Sequence, residues 1–373
     1  MDNRVQAGGA VGMDKSADDF KTLHQIIQAA RDSLDDKPWD YLVGGADTET
    51  TTKRNRHGLD SLAFRPRVLN DVRQIDLSGS LFGQKLRIPA ILAPIGSLQD
   101  LHPDGGIGPA RAAAAFGTMS MLSSVCKPGL EKVADAVPGE NRIFQLYVRG
   151  DDAWIDDFAV RAINGGYTAF CLTVDLDYYG RRERDLAKGH LSTSRRTMAK
   201  GEDFQKRLSW DHVKRFKDSH DIPLVLKGIA TAEDAGRAVE LGVDGVYVSN
   251  HGGRQLDHGR ASIEVLPEIV KEVGGKADII IDGGFMRGTD VVKAMALGAD
   301  AVGLGRLQGF AMAAAGFAGI VRALELLETE IRICLGLLGV TCFGDLDESY
   351  LHPAQSLTPP HVLSAFPLFE EDY

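Results

Sequence analysis

Cysteine is scarce in this chain, with four residues in 373, at Cys126, Cys171, Cys334 and Cys342. Their spacing matches no metal-ligand pattern, and so few thiols exclude a disulfide scaffold; free cysteines in a reducing compartment fit better. Cys126 falls near the face where active-site residues are expected and reads as a buried, inert thiol. Clusters of Lys and Arg interleaved with aromatics are also missing. The net charge of -10 argues against a polyanionic partner such as nucleic acid. No basic start followed by a long apolar run occurs in Met1 to Lys15, so neither a secretory signal nor a membrane anchor is expected there, and a cytoplasmic location follows by default. What remains is 44% hydrophobic and 25% charged, enough for one large domain with a sizeable core.

Short apolar runs recur at roughly regular intervals, each followed by a Gly-rich or polar turn and a helix-like stretch. The candidate strands are Ala90 to Ala93, Met119 to Ser123, Ile143 to Tyr147, Ala169 to Val174, Leu224 to Lys227, Gly245 to Ser249, Ile279 to Asp282 and Ala301 to Gly305. Eight such units predict an α/β protein built as a (β/α)8 TIM barrel over about 86–345. A doubly wound sheet is the alternative, but its phosphate-binding glycines would follow the first strand, and here they follow the last two. Residues 1–85 are expected to form a helical extension packed on the barrel, with Ser16 to Ala46 as its clearest helical stretch. Residues 346–373, with Pro353, Pro359, Pro360 and Pro367, should be an irregular tail. Phe310 to Leu338 reads as one or two apolar helices, interrupted by Arg322, Glu325, Glu328 and Arg332 and so not a membrane span. The fourth and fifth strands are unusually far apart, and the polar insertion at 187–207 is either an active-site lid or a solvated loop.

The densest chemistry lies in Ser249-Asn250-His251-Gly252-Gly253-Arg254-Gln255-Leu256-Asp257. It follows the apolar run Gly245 to Val248, so His251 and Arg254 should sit just past a strand's C-terminal end, where barrels place their active sites. His251 can take a proton near neutral pH, and Arg254 stays cationic and can grip a carboxylate with two parallel hydrogen bonds. A surface turn with an incidental His and Arg is the plain alternative. Two further turns, Asp282-Gly283-Gly284 after the seventh strand and Gly303-Leu304-Gly305-Arg306 closing the eighth, stand where barrels commonly bind a phosphate through backbone N–H groups.

The nine-residue run resembles the active-site signature of the FMN-dependent 2-hydroxy acid oxidase and dehydrogenase family, and similar segments extend from about Trp39 to about Gly344. The resemblance implies FMN as cofactor and oxidation of a small L-2-hydroxy acid to the 2-oxo acid, with the electrons passed to oxygen or another acceptor. It further implies His251 as base, Asp175 as the carboxylate on its imidazole, and Lys227 as the ammonium beside the reduced flavin ring. Asp175 as a helix cap, and Lys227 simply reaching solvent, are the plain readings of the same residues. Tyr41, Tyr147, Arg182 and Arg254 would hold the substrate. Pro94, Ile95, Gly96, Ser123, Gln145, Thr173 and Ser249 would contact the ring, and Asp282, Gly283, Gly284, Arg287, Gly305 and Arg306 the phosphate side. Family members are commonly homotetramers, so an oligomer is expected. In membrane-bound members the insertion carries an apolar anchor, for which Leu191 and Met198 are too few.

Several departures bear on affinity and substrate. Met286 stands where the family has an arginine after the Gly pair, and Arg287 next to it is a candidate to compensate. Val125 replaces a bulky aromatic and Gly96 an alanine, which should open space near the flavin and admit a side chain larger than that of glycolate. Gly96 also resembles the monooxygenase members, where the space beside the ring serves oxygen. Tyr178 and Tyr179 either stack on an aryl substrate or pack on the rim. An FMN-dependent barrel isomerase and a flavin-binding protein with a decayed site are the competing functions. The first should lack paired arginines around a histidine.

Overall fold

The structure is a computed structural model that describes residues 17–370, so the reading of Met1 to Lys15 lies outside the described residues. The eight apolar runs form strands β1 (Ala90–Leu92), β2 (Ser120–Ser123), β3 (Arg142–Leu146), β4 (Ala169–Thr173), β5 (Leu224–Ile229), β6 (Gly245–Val248), β7 (Asp278–Ile281) and β8 (Ala301–Leu304). Each pairs in parallel with the next, and β8 pairs with β1 to close the barrel. Closure excludes the doubly wound alternative. The strands are buried almost throughout, which explains why they read as continuous apolar runs rather than alternating ones.

Three helices precede the barrel: α1 (Leu23–Ser33), α2 (Asp36–Val43) and α3 (Thr50–Asp60). Thr22 and Gln25 form a capping box that starts α1, and Leu23, Ile26, Ile27 and Ala30 recur on one buried face. The outer ring is α4 (Ile107–Phe116), α5 (Leu130–Ala136) and α6 (Asp152–Asn164), then, beyond β4, the short α7 (Glu183–Ala187), α8 (Thr193–Met198) and α9 (Glu202–Lys206) before α10 (Trp210–Ser219). It closes with α11 (Ala232–Glu240), α12 (Ser262–Val273), α13 (Gly288–Ala296) and α14 (Arg306–Leu338).

The extension is not wholly helical. Gly79–Leu81 and Gln84–Leu86 make an antiparallel hairpin whose Leu81 and Leu86 pack with Ile91, Met121, Ile143 and Val225 of the barrel interior, closing the end opposite the site. Nor is the tail wholly irregular, since Leu351–Pro353 pairs with Leu62–Phe64. Three-residue strands are too short to show an alternation in sequence. Helix α14 also differs from expectation: by length and composition it is apolar enough to cross a membrane. It breaks at Ala315 and Gly316, the latter at φ 58°, and 56% of its most apolar window is buried inside the protein. It packs on α1, α4 and α13 as a core helix.

Candidate active site

The loop after β6 turns sharply into the barrel mouth. His251, Gly252 and Gly253 have φ of 58°, 65° and 76°, a left-handed run that glycine adopts freely and histidine rarely does. A side chain on Gly253 would strike Thr52 of α3, so this glycine serves close approach as well as conformation. Asn250 and Asn55 exchange amide hydrogen bonds of 2.7 and 2.9 Å, fixing the loop to α3. The imidazole is thereby held over the barrel: Nδ1 lies 3.0 Å from Asp175 Oδ1 and Nε2 3.3 Å from the Tyr147 hydroxyl. Burial pushes His251 below its ordinary pKa, with the Asp175 charge pulling the other way. Burial alone would raise Asp175, but the charge of His251 and their hydrogen bond outweigh it and hold the carboxyl below its usual range. Asp175 is therefore ionised and His251 neutral at pH 7, the protonation states a base and its carboxylate partner need. Gly228, at φ 114° on a bulge in β5, makes room for this carboxylate, since a Cβ there would lie 2.7 Å from it.

Beside the imidazole lies a concentration of positive charge. Arg182 is buried, and Arg254 and Arg306 are partly buried, in the wall of one cavity. Arg254 donates to the carbonyls of Tyr41 (2.7 Å) and Gly44 (2.8 Å). Arg306 donates to those of Leu42, Gly252 and Gly44. The Arg182 guanidinium stacks on Tyr179 at 4.3 Å, and its Nε is buried without a partner. Burial, and then the neighbouring guanidinium, weigh against the charge on Arg254 and on Arg306. Among the described residues none of the three makes an ion pair, so an anion placed here would relieve both penalties.

The cavity encloses about 980 Å³ counted out to its open mouth. Pro94, Ile95 and Gly96 after β1, Gly283 and Gly284 after β7, Gly303 within β8 and Gly305 after it line the cavity with Lys227 and Asp282. Lys227 Nζ contacts Ser249 Oγ at 2.8 Å and Asp282 Oδ2 at 3.1 Å, and Ser249 donates to Asp282 at 2.6 Å. Burial would lower Lys227, but Asp282 and then Asp175 hold its ammonium above the ordinary value. It is a fixed cation and not a base. Ser123 pairs in register with Gln145, and Thr173 lies two residues beyond Gln145's partner Cys171; all three sit toward the same end of β2, β3 and β4 rather than in the cavity wall. Gln145 donates to Thr173 at 2.8 Å, leaving its buried Oε1 without a partner. An orphan acceptor, a fixed ammonium and a glycine cradle suit a flavin's ring N–H, its electron-rich edge and its phosphate.

One assignment fails. Arg287 turns away from the cavity, ion-paired with Glu330 at 2.7 Å and bonded to the Ala365 carbonyl, because it starts α13 facing α14. Met286 is buried in the cavity wall instead, so the arginine expected to compensate does not. The turn is braced from below by Arg56 of α3, which pairs with Asp290 at 2.8 Å and Asp60 at 2.6 Å and donates to the Gly284 carbonyl.

The 187–207 insertion is folded and docked. Ser194 and Met198 of α8 line the cavity, and Gln205 of α9 is buried between Val148 N–H and the Thr173 carbonyl. Met198, Val125, Tyr147 and Leu176 form an apolar cup with Tyr179 at its edge. Tyr178 is 78% exposed, so of the two tyrosines only Tyr179 faces the cavity. Val125 lines the cup, and the space beside Gly96 is filled by Ser194. Helices this short carry no readable periodicity, and Ser194, Met198 and Leu176 gave no signal in sequence. Cys126 is buried, and burial pushes its thiol up to about 12, in keeping with an inert residue.

A barrel with a His–Asp pair, a cluster of arginines and a glycine-lined cavity with a fixed lysine at the C-terminal ends of its strands fits the class of flavin-dependent oxidoreductases. The family model described as FMN-dependent dehydrogenase matches residues 30–353. An L-lactate oxidase of Nostoc sp. is 39% identical over 355 residues, covering 88% of this chain and 97% of that one. Glycolate oxidase 1 of Oryza sativa subsp. indica is 38% identical over 344 residues, 87% of this chain and 93% of that one. A crystal structure of mandelate oxidase with (S)-2-phenylpropionate superposes with a TM-score of 0.83 at 36% identity, covering 91% of this chain and all of the other. The chain belongs to the FMN-dependent dehydrogenase family; it is an enzyme acting on CH–OH donors, and its cofactor is FMN.

Proposed function

We propose that the enzyme oxidises an L-2-hydroxy acid with an apolar side chain larger than that of glycolate to the 2-oxo acid. The observation that carries this reading is the partly buried His251, bonded to Asp175 and Tyr147 in the cavity that Arg182 and Arg254 also line. The two arginines, with Tyr41, hold the substrate carboxylate. The cup of Val125, Leu176 and Met198 receives the side chain. His251 Nε2 takes the proton released as the α-carbon is oxidised, and Asp175 stabilises the imidazolium that results. FMN, which Pro94 to Gly96 and the glycines at 283, 284 and 305 would hold, would supply the two-electron acceptor, with oxygen or another oxidant as the final one. Lys227, fixed by Asp282 and Ser249, supplies positive charge to that end of the cavity. The clamp of two arginines around a histidine is the feature a barrel isomerase should lack.

The test is an anaerobic titration of the FMN-loaded enzyme with glycolate, L-lactate, longer aliphatic acids and L-mandelate, followed in the flavin absorption band. The reading expects bleaching by an acid with an apolar side chain and little by glycolate, with oxo acid formed in equal amount; admitting air then identifies oxygen as acceptor by recovery of the band. A bound flavin that no 2-hydroxy acid bleaches would overturn it.

A further inference from the structure

The turn after β1 carries the ring-facing residues Pro94 to Gly96, and it is also where the insertion docks. The Thr193 hydroxyl and N–H both donate to Asp100, at 2.7 and 3.0 Å, and Ser194 N–H donates to the buried Ser97 hydroxyl at 2.7 Å. The Ser194 hydroxyl lies 3.3 Å from that of Tyr41. Gly96 is outside the left-handed region, so its backbone does not require glycine. Its neighbours do: a Cβ there would lie 2.7 Å from Ser194 Cβ and 3.0 Å from Val125 Cγ2, the first closer than packed carbons approach. Ser194 is held by backbone hydrogen bonds and a helix start, so it cannot rotate away as the tip of a long side chain would.

We propose that Gly96 is the seat of the lid, and that Ser194 and Met198, brought down by it, are specificity-determining residues that set the depth of the substrate cup. The missing methyl at position 96 is then used by the protein itself, and a larger residue there would lift α8 rather than narrow the flavin face. Lifting α8 withdraws Met198 from Val125, Tyr147 and Leu176 and opens the apolar end of the cup. The base and the anion clamp, which sit on β4, β6 and their loops, stay where they are. Binding should therefore suffer more than chemistry.

The inference rests on the proposed function for its kinetic reading only, and a protease reading tests the seat independently. FMN-loaded wild type, Gly96→Ala and Gly96→Ala/Ser194→Gly are compared. Arg196 and Lys200 of the lid are exposed, and trypsin should cut there several-fold faster in Gly96→Ala and at near wild-type rate in the double variant, which restores the lost space. With the acid that best bleaches the wild type, Gly96→Ala should raise the half-saturating concentration about tenfold, the scale of one lost apolar contact, with a smaller change in limiting reduction rate. A Gly96→Ala variant that fails to fold while the double variant folds would support the seat equally. Wild-type cleavage and half-saturation in Gly96→Ala, or damage that Ser194→Gly does not relieve, would overturn it. If no acid bleaches the wild type, the proposed function fails, and the cleavage comparison still decides the seat.

Discussion

His251 occupies a backbone conformation few histidines adopt, and its burial sets the pH dependence expected of the enzyme. Because burial lowers its pKa from the ordinary 6.5, the base is free throughout the neutral range, and the flavin reduction rate should be level there and fall only below that value. Asp175 pulls the imidazole upward, so Asp175→Asn should move the fall to still lower pH and reduce the plateau. A wild-type midpoint above 6.5 in stopped-flow reduction would contradict the assignment. Removing the base in His251→Ala should slow reduction by about 10² to 10⁴-fold with the flavin spectrum unchanged; near-normal turnover would rule it out. Met286 gives a second test at this scale. With Arg287 committed to Glu330, a Met286→Arg variant should bind FMN about ten- to a hundredfold more tightly, as one charge-assisted hydrogen bond would add, read by quenching of flavin fluorescence on titration into apoprotein. Unchanged affinity would mean that position 286 does not face the phosphate.

Helix α3 does more than cover the barrel. Its start is held by Asp257 of the His251 loop, which accepts from Thr51 N–H at 2.7 Å and from the Thr48 hydroxyl at 2.8 Å. Burial would raise this carboxyl, but those donors hold it far below the carboxylate range. A depressed folded pKa contributes stability that is complete above the unfolded value and is lost as pH falls toward the folded one. Asp257→Ala should therefore cost about 1–3 kcal/mol near neutrality, with the gap to wild type narrowing in acid; urea midpoints at several pH values measure it, and a gap that widens in acid would refute it. At this scale the sequence was legible where elements are long or wholly buried. All eight barrel strands were readable because each is a run of apolar residues, whereas the hairpin at 79–86, the pairing of 62–64 with 351–353 and the lid helices were not. A strand of three residues or a helix of five leaves too few positions for a period to register.

As a whole molecule the barrel has one end plugged and the other carrying chemistry, and the two should separate in experiment. Leu81 is 1% exposed inside the plugged end, so Leu81→Ala should cost about 2–5 kcal/mol, lowering the melting temperature while leaving flavin spectrum and reduction rate intact; a lost flavin band would show the ends to be coupled. The sequence by itself determined the barrel and the placement of its glycine turns, of Lys227 and of His251 at or just past the ends of buried strands, because the local apolar pattern reveals where those strands end; the roles given to His251, Asp175, Lys227, Arg182 and Arg254 rest on the resemblance to the family. Only the tertiary structure decided that Arg287 faces Glu330, that Tyr179 and not Tyr178 turns inward, and that Ser194 fills the space beside Gly96. Those outcomes depend on which side chains meet across tens of residues of chain, 43 between Arg287 and Glu330, and contacts of that range leave no trace in local spacing.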